Sequence, residues 1–378
     1  EKLMFHNRIK VYTNYGEGEL PQFRVPSTSM SGPVFQSVGY SGITLDGLYF
    51  AGARSDGTIE NILGGICVFL GADSKVLNSE ITSCEIGAML AGAGSSFKGN
   101  YVHDLIIGVQ PNPEGDPNNA GGAAGIFVTA SNIEVAYNTF VNCKDKTETG
   151  SSCDGGAVEI ISSACDTVSE VNIHHNFSYN NCGFLEIATT SGNCKGTVEN
   201  TKIYNNISID SAWMGFFQVN NTDFENLHYY NNTNVHHKSS ENAGTLWIIF
   251  NETSSGMTGG ELVPGTVFLT NNLYIFDDFV PLTEPMDTAF GQKTNLIIYT
   301  DNQDPKVVNV KGTSFEDFFL TKDSPAVDAG STVSGNTLDF VHNIVPNPGG
   351  ITDIGAFEFN SKQEICLPPK SPVKVNTK

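Results

Sequence analysis

The chain has 378 residues, of which only 16% are charged, and its 41 acidic against 20 basic side chains give a formal charge of −21. That balance argues against nucleic acid as a partner, since phosphates need a basic surface, and it disfavours a polyanionic substrate unless calcium or a local basic patch offsets the repulsion. No apolar run approaches the ~18 residues of a membrane span, while abundant Asn and 39 Gly predict many turns and few exposed helices.

Residues 1–64 read as irregular early coils. The opening Glu1-Lys-Leu-Met leads straight into a strand-like Arg8–Thr13 without a signal peptide, so the N-terminus reads as processed or truncated. Ile43–Phe50 reads as a strand and Arg54–Gly64 as a loop. From 65 to 277 one unit recurs. A Gly opens a short strand at Gly65, Gly87, Gly125, Gly156, Gly183, Gly215 and Gly244, and between these lie seven asparagine rungs, Asn78, Asn100, Asn138, Asn176, Asn206, Asn232 and Asn272. A unit repeating every ~20–35 residues is a solenoid, and five-residue strands bounded by Gly and Asn make it an all-β parallel β-helix. Asn tolerates a left-handed bend, and its amide can bond its equivalent one coil away.

Aligned positions on successive coils then lie roughly 4.8 Å apart. Counting alternately from each Gly puts Cys67 and Phe69, Met89 and Ala91, Phe127 and Thr129, Val158 and Ile160, Leu185 and Ile187, Phe217 and Val219, Leu246 and Ile248 inside. Val68, Leu90, Val128, Glu159, Glu186, Gln218 and Trp247 then face out. Two loops, 110–122 and 144–154, precede the Glu-bearing strands and are placed to wall a groove. Residues 278–321 are less periodic, and 361–378 read as a tail after a single domain spanning 1–360.

The eight cysteines are even in number. Cys165 and Cys194 occupy similar loop positions on adjacent coils, Cys143 is placed to reach Cys153 or Cys182, and Cys67 reads as a buried thiol. No CxxC pair suggests a structural zinc site. Of five N-x-Ser/Thr sequons, those at Asn176 and Asn206 belong to the ladder and read as structural; Asn220, Asn231 and Asn251 are the others.

Asp323-Ser-Pro-Ala-Val-Asp-Ala-Gly330, Asp339-Phe and Thr352-Asp-Ile-Gly-Ala-Phe-Glu-Phe359 resemble the closing module of secreted bacterial right-handed β-helix proteins. Together with the Asn ladder and the 43–50 coil, they place most of the chain in resemblance to the carbohydrate-active, pectate-lyase-like superfamily of polysaccharide lyases and glycoside hydrolases. The resemblance implies a right-handed parallel β-helix, a secreted or cell-surface location and a polysaccharide or oligosaccharide partner, without naming a family.

Glu159 and Glu186 form the sharpest constellation, at the fourth position of Gly-opened strands on consecutive coils. A glycosidase needs two carboxyl groups across the scissile bond, about 5–5.5 Å apart for retention and wider for inversion. Two close like charges force one pKa upward, which supplies a general acid. Outward glutamates are also ordinary solvated surface, and a pair can bind calcium. Asp154 is a third catalytic candidate or a turn cap. Asp210, Trp213, Phe184, Phe216, Gln218 and Trp247 are the substrate-binding candidates, aromatics stacking on sugar rings and Gln218 continuing the Glu row to bond a hydroxyl; Trp213 otherwise seals the flank. His103 reads as a core histidine aligned with Ile81 and Val141, and the pairs His174–His175 and His236–His237 lack an established metal spacing. A hydrolase reading needs no cofactor and no metal. β-Helix lyases of the alginate and chondroitin type would carry a base Lys about five residues after the Glu and an Arg on the next coil. Here Ala164 and Ser191 hold the Lys offsets, no Arg follows Arg54, and only Lys144, Lys146, Lys195 and Lys202 are near. The primary reading is therefore a glycoside hydrolase. The rivals are a calcium-assisted lyase or epimerase on a uronate polymer, and a non-catalytic adhesin or surface fibre.

Overall fold

The computed structural model describes residues 10–14, 18–24, 32–54, 62–63, 65–105, 107–109, 120–146, 153–190, 194–237, 240, 245–250, 262–277 and 290–359. They wind into a right-handed parallel β-helix with three long sheets. Sheet A has ten strands, from Val11–Thr13 to Gly291–Lys293; sheet B has ten, from Gln22–Arg24 to Leu296–Tyr299; sheet C has eight, from Phe35–Ser37 to Thr245–Phe250. Each coil passes from A to B to C. Phe315–Phe318, a single 3₁₀ turn, is the only helix among the described residues.

The ladder lies at the bend between sheets A and B. From Asn100 onward each backbone N–H and each Nδ2 donates to the Oδ1 of the next rung, as in Asn138 to Asn176 at 3.0 and 2.9 Å. Each Nδ2 also reaches a carbonyl of the preceding coil, as in Asn206 to Ile173 at 3.0 Å. The rungs are Asn100, Asn138, Asn176, Asn206, Asn232, Asn272 and Asn295. Asn78 is not one of them. Ser79 takes the first place, its N–H donating to Asn100 Oδ1 at 3.0 Å and its hydroxyl accepting from Leu48 N–H at 3.1 Å. Asn78 belongs to a second row, one residue earlier, that carries the left-handed backbone: Gly47, Asn78, Gly99, Tyr137, His175, Asn205, Asn231, Asn271 and Thr294, with φ between 45° and 64° at the first two and similar values beyond. Left-handed tolerance and amide stacking thus fall on adjacent residues. Asn176 and Asn206 are buried, as their structural reading expected, and Asn231 is buried as well.

In sheet C the pairing register aligns Phe69, Met89, Phe127, Glu159, Glu186, Phe216 and Ile248 in one row. Glu159 and Glu186 are partly exposed, with Val158, Ile160, Leu185 and Ile187 buried beneath them. In the three earlier coils the expected phase is wrong by one residue. Val68, Leu90 and Val128 are wholly buried, while Phe69, Met89 and Phe127 are partly exposed. Gly87 and Gly125 are second residues of their strands, whereas Gly156 and Gly183 are first, so counting from the Gly shifts the face. His103 is likewise not a core residue. Its register partner is Thr82 rather than Ile81, and it contacts Glu80 at 3.3 Å and Asp104 at 2.8 Å while stacking on Tyr101.

The C-terminal segment 305–359 does not extend the coil. It folds back over the outer face of sheet B, where Phe318, Phe319, Leu320, Phe340, Ile354 and Phe357 cluster with Ile207, Ile209, Val235, Leu273, Ile275 and Ile298. The left-handed row anchors it. His175 Nε2–H donates to Asp339 O at 2.9 Å, Asn205 to Leu338 O at 2.7 Å, Asn231 to Gly355 O at 3.1 Å and Asn271 to Ser331 O at 2.7 Å. The acidic residues of the closing motif cap its own turns. Asp339 accepts from Val341, Asn343 and Glu358 N–H groups, Asp353 from Asp328 and Phe359, and Glu358 from Asn347 and Asp353.

Cys67 is disulfide-bonded to Cys84 (Cα–Cα 5.8 Å), not a free thiol, and Cys165 is bonded to Cys194 (5.3 Å) as their coil positions suggested. Cys182 is also disulfide-bonded, and Cys143 is a buried free thiol.

Two outcomes test this account. Asn206→Ala removes four hydrogen bonds inside the ladder and should cost at least ~1–3 kcal/mol, read as a lower urea midpoint; an unchanged midpoint would show that the ladder is incidental. The second concerns His237, whose Nδ1 donates to Asp210 Oδ2 at 3.0 Å and whose Nε2 donates to Val310 O at 3.0 Å. Two acceptors require both ring nitrogens protonated. Burial opposes the charge, but the Asp210 bond and charge, the Val310 carbonyl and Asp277 outweigh it, so the pKa is raised. This contribution is complete below the unfolded value of ~6.5 and is lost as pH rises through the higher folded value. The melting-temperature gap between the native chain and His237→Gln should therefore be widest near pH 6 and shrink toward pH 9.

Candidate active site on sheet C

Strands Gly156–Ser162, Gly183–Thr189 and Trp213–Gln218 carry the site on adjacent coils. Glu159 and Glu186 are direct register partners, so their backbones lie about one strand spacing apart, ~4.8 Å. Phe127 precedes Glu159 in the row and Phe216 follows Glu186. The row thus reads aromatic, carboxylate, carboxylate, aromatic along the solenoid axis. Trp213 pairs with Gly183, and its ring lies 5.9 Å from Phe216. A Cβ at Gly183 would collide with the Trp213 indole, so the bare strand start at Gly183 is what lets the ring lie across the neighbouring coil. Trp213 Nε1 is buried with no hydrogen-bond partner among the described residues. The ring is partly exposed, so it both seals the flank and borders the carboxylate row.

Gln218 is not the next rung of the Glu row; Phe216 is. Gln218 lies two residues further along the same strand, and its Nε2 donates to Glu186 Oε1 at 2.8 Å, so it contacts a carboxylate where a sugar hydroxyl was expected. Phe184 is wholly buried in the solenoid core and is no substrate contact, because the strand start buries three successive residues, Gly183 to Leu185. Asp210 is buried too. It lies at the left-handed bend between sheets B and C, and it accepts from the His237 N–H at 2.8 Å and from His237 Nδ1 at 3.0 Å. It lines a separate pocket of about 410 Å³ with Tyr179, Asn180, His237, Ser240, Lys311 and Thr313. Asp210 therefore holds His237, whose Nε2 in turn bonds Val310 O of the C-terminal segment.

Trp247 pairs with Gly215, not Gln218. It holds the register position of Leu185 rather than that of Glu186, so its backbone is off the carboxylate row; its side chain lies outside the described residues. The Asp154 side chain does as well. Its backbone pairs with Asp145 in a short hairpin leading into the Glu159 strand. Of the proposed groove loops, residues 110–119 and 147–152 also fall outside. His174 and His175 meet through their Nδ1 atoms at 2.8 Å, and burial pushes His175 down to about 3. That pair serves the C-terminal anchor. No group of three or more His, Cys, Asp or Glu placed to hold a metal occurs among the described residues. Lys144 Nζ bonds Asn180 Oδ1 at 2.8 Å and Lys195 Nζ bonds Asp223 Oδ1 at 3.0 Å.

Gly183→Ala should displace the Trp213 indole at a cost of ~1–3 kcal/mol, read as a lower melting temperature with a shift in tryptophan emission. Unchanged emission would show that the indole does not rest on Gly183.

No family model matches the sequence, and no curated protein matches it. Among solved structures, the chain is similar to a pectate lyase, Pel9A, with a TM-score of 0.50 and 14% identity, covering 90% of this chain and 87% of that one. No helix among the described residues is long and apolar enough to cross a membrane. The chain has the right-handed parallel β-helix fold of that pectate lyase.

Proposed function

We propose that the protein is an extracellular polysaccharide-degrading enzyme, a glycoside hydrolase that cleaves through Glu159 and Glu186. The observation that carries this reading is their register pairing on the exposed face of sheet C between Phe127 and Phe216. One strand spacing matches the short carboxyl separation of retaining glycosidases, and the flanking aromatics suit sugar rings. The fold shared with a pectate lyase supports action on a polysaccharide. The disulfides Cys67–Cys84 and Cys165–Cys194 support an oxidising, extracellular setting. The fold likeness also keeps elimination as the second reading. Against it stands the absence of any Arg after Arg54.

Digestion of a glycan panel followed by mass spectrometry tests the proposal. Hydrolysis adds the mass of water and gives no ultraviolet-absorbing product, and Glu159→Gln and Glu186→Gln should each lower turnover at least ~100-fold with melting temperature maintained. An unsaturated product with chelator sensitivity would replace the hydrolase with a lyase. Glycan binding without any product would make the protein an adhesin.

A further inference from the structure

We propose that the pocket at the bend between sheets B and C is a second carbohydrate site, one that holds a single neutral sugar unit apart from the glutamate row. Its position follows from a break in a second side-chain ladder. The bend from sheet B to sheet C places Asp104, Asn142, Asn180 and Asp210 on successive coils, each with a left-handed backbone, φ 49° to 57°. Asn142 Nδ2 donates to Asp104 Oδ1 at 2.8 Å and Asn180 Nδ2 to Asn142 Oδ1 at 2.7 Å. An Asn at the fourth place would donate to Asn180 Oδ1 in the same way. Asp210 has no amide hydrogen to give, so Asn180 Oδ1 takes Lys144 Nζ at 2.8 Å, and Asp210 turns to His237. The pocket of about 410 Å³ opens at that break, with Asn180 and Asp210 both in its wall.

The lining decides what fits. Every residue of it among those described is polar, whereas most small-molecule pockets are lined by apolar side chains with a few polar groups. The occupant therefore carries polar groups over most of its surface. The volume lies at the lower end of small-ligand sites, roughly 300–1,000 Å³, which suits one sugar ring rather than a length of chain. The charged groups of the lining have partners of their own. His237 gives one ring N–H to Asp210 and the other to Val310 O, and Lys311 Nζ meets Asp277 Oδ2 at 2.7 Å. An anion would meet the Asp210 carboxylate, and a cation would meet Lys311 and the protonated His237, so like-charge repulsion acts against either. A neutral polyol meets neither repulsion. The Lys311 ammonium carries three protons, more than Asp277 uses, for a hydroxyl to accept. Tyr179 adds an aromatic ring with an apolar body and a polar tip, against which the C–H face of a sugar packs.

The site is separate from the glutamate row and lies beside it. Asn180 and Asp210 each stand three residues before the start of a sheet C strand, at Gly183 and Trp213, and those strands carry Glu186 and Phe216. Lys311 and Thr313, both exposed, form the wall that the C-terminal segment contributes, so the segment that folds over sheet B also completes the pocket. The choice of a sugar rests on the polysaccharide reading above, but not on the two glutamates acting as catalysts.

The test is calorimetric titration of the full chain with the methyl pyranosides of glucose, galactose, mannose and xylose, beside galacturonate and inorganic sulfate, with the 15N-labelled ring signals of His237 as the local readout. At least one neutral glycoside should bind and shift the His237 signals. The same unit offered as a tetrasaccharide separates the sources: tighter binding marks a chain end as the occupant, and equal binding a single sugar. Thr313→Trp fills the pocket from its exposed side and should weaken binding at least ~10-fold, the equivalent of one lost hydrogen bond to a charged group. Lys311→Met removes the ammonium and should act in the same direction, so one of the two suffices if the other does not fold. Binding should be unchanged in Glu159→Gln and Glu186→Gln. Still His237 signals with every neutral glycoside up to its solubility limit, binding unmoved in the folded variants, or preference for galacturonate or sulfate would each overturn the proposal. Failure of the hydrolase reading looks different: the glycan panel gives no hydrolysis product while the pocket titration stands.

Discussion

Everything in this molecule depends on strict coil-to-coil register, and the side-chain amide stack at the bend between sheets A and B is what imposes it. From Asn138 to Asn295 each rung offers one oxygen to two donors of the preceding rung. A slip of one residue would break both bonds at once and bury unpaired amides, which costs more than the bonds contribute when made. The strands alone do not forbid such a slip, because backbone pairing is indifferent to side-chain identity. The bend is therefore the clock of the solenoid. It allows Glu159 and Glu186, twenty-seven positions apart in number, to meet as direct partners.

The bend separates two demands that Asn is suited to meet together. The left-handed residue comes first and the stacking residue second. Once stacking is left to the second position, the first is open to varied use, and here it is the attachment line for the C-terminal segment through His175, Asn205, Asn231 and Asn271. The acidic motif of that segment, which reads as chemistry by composition, is consumed in capping its own backbone. Burial even pushes Asp339 up to about 6 and Glu358 up to about 7 against the pull of those N–H donors.

The later strands of sheet B are thereby covered, while sheet C carries partly exposed carboxylates and aromatics in a single row. The two faces use acidic groups differently. Beside sheet B, Asp210 meets a histidine whose both nitrogens are bonded, an arrangement suited to holding. On sheet C, Glu186 accepts from the neutral Gln218 amide at 2.8 Å and has Glu159 as its register partner.

The amino-acid sequence is enough for the repeat, the parallel solenoid, six of the seven rungs and the outward pairing of Glu159 with Glu186, because these follow from periodicities of a few residues within each coil. It misplaced whatever depends on where a strand begins relative to its Gly. Gly156 and Gly183 share a register position, but Gly87 and Gly125 sit one residue later and Gly215 two later, and with a side-chain period of two a one-residue offset exchanges inside for outside. Hence Leu90 and Val128 went to the wrong face and Gln218 to the wrong row, and Gly65, one residue earlier, misplaced Val68 in the same way. It took the folded chain to show that Asn295 and Ser79 complete the ladder, that Cys67 finds Cys84, that Asp210 is buried beside the C-terminal segment, and that Gln218 reaches Glu186. Each of these joins residues from different coils or from the returning segment, and such contacts leave no local period in the chain.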